Sequence, residues 1–209
     1  MEPTNHQIIR GFLDDKSRDE IIEYVNSITE NIKLENHHLK HLISKINGDS
    51  YMYDISKTEL TEKLTKYQSG GHVMIDELPQ VFHDLISKIS TLMNIPTDQT
   101  FLQIVHMDKG GIIGKHYDAT FDGLINYKCN ISVLSENYDF CIDEEIININ
   151  QSDMYCFEAS LYKHWTLKPY TSQRILLSFG FLIPYENLGR SATDPRVRLS
   201  NRIEKYFQK

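Results

Sequence analysis

Two segments in the first half of the chain repeat apolar residues at helical spacing. They cover residues 16–33 and 77–93, and the second ends before Pro96. Apolar side chains that recur every three or four residues lie on one face of a helix. Ser17 is a suitable N-cap for the first segment. The pattern therefore predicts two amphipathic helices within the first hundred residues.

From Phe101 onward the spacing of the apolar residues changes to two, which is typical of strands. Turn residues separate eight such segments, near residues 101–107, 112–118, 129–134, 139–142, 145–149, 153–157, 164–168 and 173–183. Many short strands preceded by helices favour a mainly β fold with flanking α. We predict a double-stranded β-helix (jelly roll) core with the N-terminal helices packed on one outer face.

The 209 residues suit a single domain, without a linker or an internal repeat. We expect a mainly helical lead-in over residues 1–100, the jelly-roll core over 101–183 and a basic C-terminal arm over 184–209. The polar, His-rich residues 33–53 predict a mobile or substrate-facing loop.

Charge is unevenly distributed along the chain. The net charge is −7, but the segment from Gly189 onward carries six basic and two acidic residues. This arm could close over an anionic substrate or contact a partner, and it could equally be a solvated tail. The acidic remainder makes a nucleic-acid partner unfavourable, because such partners need a basic surface.

Three cysteines, an odd number, argue against a disulfide framework and indicate a reducing compartment. No apolar run approaches the length of a membrane span, and the N-terminus lacks an apolar signal segment. We therefore expect a cytoplasmic protein without a membrane partner. The sequence does not indicate the oligomeric state.

Two histidines and an aspartate form the strongest candidate metal site. His116 and Asp118 are two residues apart, so on an extended segment they face the same side, and His164 would arrive from a distant strand. Two imidazoles and a carboxylate can bind one face of Fe(II) and leave the opposite positions open. This arrangement is typical of enzymes that activate oxygen.

Arg174 is the candidate anchor for a carboxylate-bearing co-substrate. Its planar guanidinium can bind a carboxylate through two parallel hydrogen bonds. Arg174 and Ser178 share one face of the last predicted strand, so the Ser178 hydroxyl could donate to the same carboxylate. Asn130, on the strand after the metal-binding segment, could also line the pocket.

Other histidines offer weaker metal sites. His106 and Asp108 repeat the His-x-Asp spacing, but they directly precede the turn residues Lys109-Gly110-Gly111. We therefore favour His116 and Asp118. The cluster of His37, His38 and His41 has no cysteine or acidic partner at a recognised spacing, which favours a solvated helix face.

Four segments resemble the Fe(II)/2-oxoglutarate-dependent oxygenase superfamily, in particular its prolyl-hydroxylase-like and AlkB-like members. The segments are Leu102–Asp118 with its glycine turn and His-x-Asp, Tyr155–His164, Pro169–Gly180, and the lead-in Ile9–Asp15. The chain departs from the superfamily pattern at Met107, where many members carry a tyrosine. It also departs at Leu176, where a serine often follows the arginine by two residues.

The resemblance implies that His116, Asp118 and His164 bind Fe(II) and that Arg174 binds the distal carboxylate of 2-oxoglutarate. It further implies that O₂ is consumed and that a small molecule, amino acid or peptidyl side chain is hydroxylated, with release of succinate and CO₂. Two alternatives remain open from the sequence: an AlkB-like oxidative demethylase of nucleic acid, and a jelly-roll binding protein without catalytic activity.

Overall fold

The computed structural model of the protein describes residues 6–29, 43–45, 50–56, 78–96, 100–107, 109–118 and 123–198. Its helices are α1 (Asp15–Thr29) and α2 (Gln80–Met93). Its strands are β1 (His6–Ile9), β2 (Ile43–Lys45), β3 (Ser50–Ser56), β4 (Thr100–Met107), β5 (Gly111–Ile113), β6 (Leu124–Leu134), β7 (Tyr138–Ile142), β8 (Glu145–Ile149), β9 (Met154–Glu158), β10 (His164–Thr166) and β11 (Arg174–Pro184). A 3-10 turn, Tyr185–Leu188, follows β11.

The strands form one large and two small antiparallel sheets. The large sheet has the order β1-β9-β6-β11-β4-β3, and the small sheets have the orders β10-β7-β8 and β2-β5. A single antiparallel bridge, between His116 and His164, joins β10 to the segment that follows β5. The described residues therefore have the mainly β architecture that the sequence predicts, and the non-sequential strand order places distant residues side by side.

Strand β11 divides the core because its side chains alternate between two apolar clusters. Ile175, Leu177 and Phe179 belong to a cluster that includes α1 and α2, so this face of the large sheet packs against the helices. Leu176 belongs to a second cluster, which contains residues of both β7 and β9. The predicted division of the β11 faces is confirmed, and the second face lines the interior between the sheets.

Helix α1 is capped by Asp14 rather than by the predicted Ser17. The Asp14 carboxylate accepts hydrogen bonds from the Ser17 backbone N–H at 2.9 Å and from its hydroxyl at 2.8 Å. This is an N-cap contact to the third helical residue, which satisfies an otherwise unpaired N–H. The sequence predicts the cap three residues too far towards the C-terminus, because aspartate and serine are both good N-caps.

Two predictions about loops and strands are wrong. The predicted loop over residues 33–53 contains β2 and the first part of β3, which pair with β5 and β4 respectively. These are edge strands, whose exposed side tolerates polar residues and so weakens the apolar alternation. The predicted strand over 112–118 ends at Ile113, after which only the bridge at His116 continues the pairing.

The lead-in is therefore not only helical, since β1 and β3 form the two edges of the large sheet. Within the described ranges, no helix is long and apolar enough to cross a membrane. The predicted solvated cluster of His37, His38 and His41 lies outside the described residues.

Candidate metal and carboxylate site

Backbone hydrogen bonds hold His116, Asp118 and His164 together. The N–H of His116 donates to the His164 carbonyl at 3.2 Å, and the N–H of His164 donates to the His116 carbonyl at 2.9 Å. The N–H of Asp118 donates to the Ala159 carbonyl at 3.0 Å. Two segments far apart in sequence are thereby fixed to each other, and their three polar side chains converge.

The three side chains form a compact, largely buried group. Asp118 Oδ1 lies 3.2 Å from His116 Nε2 and 3.5 Å from His164 Nε2. One potential ligand atom from each residue lies within 4.8 Å of the others. Two nitrogens and a carboxylate oxygen at this spacing have the composition of the facial site that binds non-haem Fe(II).

Hydrogen bonds fix which ring nitrogens face the centre of the group. His116 Nδ1 donates to the Gly114 carbonyl at 2.7 Å, and His164 Nδ1 donates to the Tyr162 carbonyl at 3.1 Å. A carbonyl can only accept, so both Nδ1 atoms carry protons. In a neutral ring the Nε2 atom then has a free lone pair, and both Nε2 atoms face the Asp118 carboxylate.

Burial and neighbouring charges set the ionisation of this group. Burial by itself would raise the pKa of Asp118, but Lys128 and the two histidines hold that pKa well below its usual value. Burial, with a contribution from His116, lowers the pKa of His164 despite its contact with Asp118. At neutral pH, Asp118 is therefore an anion and His164 a neutral ring, the forms in which both can bind a metal ion.

Arg174 is fully buried and lies among tyrosines. Its guanidinium donates to the hydroxyls of Tyr170, of Tyr138 at 2.7 Å and of Tyr155 at 3.3 Å. The rings of Tyr138 and Tyr170 each have their centre 4.5 Å from the guanidinium carbon. The buried Arg174 Nε has no hydrogen-bond partner among the described residues. The partners of the guanidinium in this part of the chain are neutral phenols, so the described residues supply no counter-ion to the buried cation, which is costly unless an anion binds.

A wall of aromatic rings connects the histidines with Arg174. The Phe157 ring lies 4.8 Å from the His164 ring and stacks on Tyr155, whose hydroxyl accepts from Arg174. Tyr155 and Phe157 are neighbours on one face of β9, a separation of roughly 7 Å along a strand. We call the group of His116, Asp118 and His164 the metal-type site, and the surroundings of Arg174 the cationic site. The two sites thus lie at opposite ends of one interior with apolar walls.

The other predicted pocket residues lie on the same interior face. Ser178 and Asn130 are both buried and are opposite each other in the register of β11 and β6. Asn130 also pairs with Tyr155 of β9, and its buried Oδ1 has no hydrogen-bond partner in the described ranges. Met107, which stands where many superfamily members carry a tyrosine, pairs with Arg174. Three tyrosines from other segments surround Arg174 instead.

Sequence reasoning missed a lysine next to the aspartate. Lys128 Nζ lies 2.8 Å from Asp118 Oδ2 and 2.8 Å from Gln103 Oε1, and Asn126 Nδ2 donates to Asp118 Oδ2 at 3.4 Å. The alternation of residues along β6 could have identified this lysine. Asn126 and Lys128 alternate with the buried Ile125 and Cys129, so Asn126 and Lys128 lie on the interior face of the strand.

His106 of the competing His-x-Asp pair does not join the site. His106 is buried beside Gln173, and its β11 partner Ile175 belongs to the helix-side cluster. Asp108 lies outside the described residues. Period two therefore places His106 on the face opposite to Met107 and to the interior.

The described part of the basic arm is held by acidic residues. Arg190 pairs with Glu158 at 2.7 Å and donates to the Tyr162 hydroxyl at 2.9 Å, and Arg196 lies 3.2 Å from Asp143. These contacts dock the arm beside the turn that leads to His164. Residues 199–209, with Arg202, Lys205 and Lys209, lie outside the described part.

No protein-family model matches the sequence, and no curated protein matches it either. Similarity appears only when structures are compared. OsALKBH1 aligns with a TM-score of 0.59 at 14% identity, over 84% of this chain and 97% of that protein. A prolyl hydroxylase from Trichoplax adhaerens, solved with a hypoxia-inducible-factor peptide, aligns with a TM-score of 0.58 at 14% identity, over 90% and 88% of the two chains.

HygX from Streptomyces hygroscopicus, solved with nickel and 2-oxoglutarate bound, aligns with a TM-score of 0.55 at 10% identity, over 87% of this chain and 84% of HygX. These matches confirm the predicted jelly-roll fold. They also include both a prolyl hydroxylase and an AlkB homologue, the two branches of the superfamily that the sequence resembles. At such low identity the shared property is the fold.

Proposed function

From this shared fold and the geometry of its interior, we propose that the protein is an Fe(II)- and 2-oxoglutarate-dependent dioxygenase. The observation that carries the proposal is the convergence of His116 Nε2, His164 Nε2 and Asp118 Oδ1. Three lone-pair atoms that face one another at this distance repel unless a cation lies between them. The donor set therefore fits a divalent metal ion, and two imidazoles with one carboxylate favour Fe(II).

In this proposal the iron is held by His116, Asp118 and His164. The hydrogen bonds of their backbone groups keep the donor atoms in place before the metal binds. When bound, iron would supply the O₂-dependent oxidation of a C–H bond, coupled to conversion of 2-oxoglutarate to succinate and CO₂. The chain itself contributes the orientation of the bound acids and an interior that excludes water.

Arg174 is proposed to bind the distal carboxylate of 2-oxoglutarate. Burial raises the pKa of both Tyr155 and Tyr170, so both phenols keep their protons. A phenol that accepts from the guanidinium can still donate its own O–H to a carboxylate. Ser178 and Asn130 are proposed as further polar contacts of the bound 2-oxo acid.

The substrate is proposed to be a small molecule, an amino acid or a peptidyl side chain. The structural matches support this range, since HygX has also been solved with hygromycin B, and the Trichoplax adhaerens enzyme with a peptide. A cytoplasmic location is proposed because the three cysteines are all buried and free.

Turnover of 2-oxoglutarate without added substrate tests the proposal. Purified protein with Fe(II), ascorbate, O₂ and 2-oxoglutarate should form succinate slowly, because the proposed site binds the metal and the 2-oxo acid without the second substrate. Asp118→Ala should reduce the rate at least 100-fold, and Lys168→Ala, at an exposed lysine, should not change it. Equal rates for Asp118→Ala and the original protein would remove the iron site and leave a binding protein.

An AlkB-like demethylase of nucleic acid is the second candidate, favoured by the match to OsALKBH1. The docked arm opposes it, because Arg190 and Arg196 are already paired with acidic residues. Binding of a methylated oligonucleotide over a range of salt concentrations separates the two candidates. A steep loss of affinity with salt would favour the demethylase, whereas no binding at low salt would exclude it.

A further inference from the structure

We propose that Lys128 is a positioning residue that restricts Asp118 to a single metal-binding oxygen and weakens the hold of the site on a divalent cation. This inference rests on the proposed function and concerns a residue outside the metal-binding triad. The two oxygens of Asp118 have different surroundings: Oδ1 faces the two histidines, whereas Oδ2 faces Lys128 and Asn126.

The ammonium group of Lys128 is fixed by two acceptors. It lies 2.8 Å from Asp118 Oδ2 on one side and 2.8 Å from Gln103 Oε1 on the other. The lysine is only 8% exposed, and its strand position is opposite Phe157 and Gly180 in the large sheet. A buried lysine with two good partners has little freedom to move away, so Oδ2 stays turned from the histidines.

A carboxylate that bound through both oxygens would occupy two positions on the metal. Lys128 and Asn126 compete for Oδ2, which leaves Oδ1 as the single ligand atom from Asp118. More positions then remain for a chelating co-substrate and for O₂. Partners of this kind around a ligating carboxylate orient it and change the affinity of the site for metal.

The charge of Lys128 has a second consequence. A cation on one oxygen of a carboxylate and a divalent metal on the other repel each other inside a poorly screened interior. Lys128 also reduces the electron density that Asp118 offers to the metal. Removal of this charge should therefore strengthen metal binding, although it removes a favourable contact of the metal-free protein.

Calorimetric titration of the metal-free protein with Mn²⁺, in the absence of 2-oxoglutarate, tests the proposal. Lys128→Met keeps most of the length of the side chain and removes its charge, and we expect it to bind Mn²⁺ about tenfold more tightly because the charge repulsion is gone. Lys128→Arg keeps the charge and should stay within about threefold of the original affinity. Lys168→Met, an exposed lysine outside the site, makes the same change in net charge and should also stay within about threefold.

Crystal structures of the Mn²⁺ complexes provide a readout that is independent of affinity. Asp118 should bind through Oδ1 alone in the original protein and through both oxygens in Lys128→Met. Equal or weaker Mn²⁺ binding by Lys128→Met, or a single bound oxygen in that variant, would overturn the proposal. If the original protein binds no Mn²⁺, the proposed function itself fails.

Gln103→Glu tests the effect of the Lys128 charge on Mn²⁺ affinity without removing the lysine. A carboxylate at this position would neutralise Lys128 from the side away from Asp118, so Mn²⁺ should again bind about tenfold more tightly. This variant decides the question if Lys128→Met does not fold, as judged by its circular dichroism. Unchanged Mn²⁺ affinity in a folded Gln103→Glu protein would contradict the charge effect.

Discussion

At the scale of single residues, the interior is defined by three charged side chains with different partners. Asp118 faces two histidines and Lys128, whereas the guanidinium of Arg174 donates to tyrosine hydroxyls. Buried charges are tolerated where they are paired or where they bind something. The paired charges hold the metal-type site in shape. The described residues supply no counter-ion to Arg174, which is why an anion is proposed to bind there.

Asp118 should make the stability of the metal-free protein depend on pH. Its folded-state pKa is well below its usual value, so its ionised form stabilises the folded state above the unfolded-state pKa of about 4. That stability is lost as the pH falls through the folded-state pKa. Urea unfolding in the presence of a chelator should therefore show a steeper loss of stability below pH ~4 for the original protein than for Asp118→Asn.

Asp19→Asn is the matched control for this pH dependence, because Asp19 is an exposed carboxylate on α1. Its unfolding free energy should follow the original protein at every pH. Parallel curves for Asp118→Asn and the original protein would show that Asp118 titrates alike in the folded and unfolded states.

The residues proposed to have a specific chemical role could be selected from the sequence, whereas their neighbours in the site could not. His116, Asp118, His164 and Arg174 could be selected because few residue types bind Fe(II) or a carboxylate, and their spacing put them on defined faces. Lys128 and the tyrosines around Arg174 reach the site from strands that are distant in sequence. Their roles depend on strand order, which the periodicity of a sequence does not give.

At the scale of elements, the close contact of β4 and β11 depends on a glycine. Gly180 pairs with Phe101, and a Cβ atom at Gly180 would overlap the Phe101 ring. The ring fills the space above Gly180 on the interior side of the sheet. Because Gly180 has no side chain, the neighbouring strand can carry the large Phe101 ring at this position.

Gly180→Ala should destabilise the protein by about 1–3 kcal/mol, because the Phe101 ring must shift within a packed interior. The same substitution in a Phe101→Ala background should cost less than about 0.5 kcal/mol, since the obstacle is gone. Urea denaturation of the four proteins in this cycle measures the difference. An equal cost in both backgrounds would mean that the overlap with Phe101 is not the cause.

Strands with a neighbour on each side were more predictable from the sequence than the edge strands of the lead-in. The bounds of β7 and β11, which both have two neighbouring strands, agree with the prediction to within one residue. The strands β2 and β3 are edges in their sheets and pair with strands far along the chain. Strand β6 begins five residues before its predicted start, and this part contains Asn126 and Lys128, whose polar side chains contact Asp118. Polar residues on a buried strand face interrupt the apolar pattern.

At the scale of the whole molecule, the C-terminal arm is attached beside the metal-type site. Burial raises the pKa of Glu158, and Arg190 partly offsets that increase through a direct ion pair. Arg190 also contacts Tyr162, which lies two residues before His164. The arm therefore supports the turn that positions the second histidine.

Arg190→Ala should destabilise the protein by about 1–2 kcal/mol, because it leaves the largely buried Glu158 without its cation. Arg198→Ala removes an equal charge from an exposed position of the same arm and should change stability by less than about 0.5 kcal/mol. Thermal and urea unfolding of both variants make the comparison. Similar small effects would show that the Arg190 contact is not needed to hold the arm.

The proposed function rests on the claim that the interior binds Fe(II) and 2-oxoglutarate together. We would test this claim by anaerobic titration with Fe(II), with and without 2-oxoglutarate, followed by visible absorption. We predict a weak charge-transfer band that requires both ligands, disappears in His116→Ala and Arg174→Ala, and persists in Arg198→Ala. A flat spectrum with no bound iron in the original protein would contradict the claim.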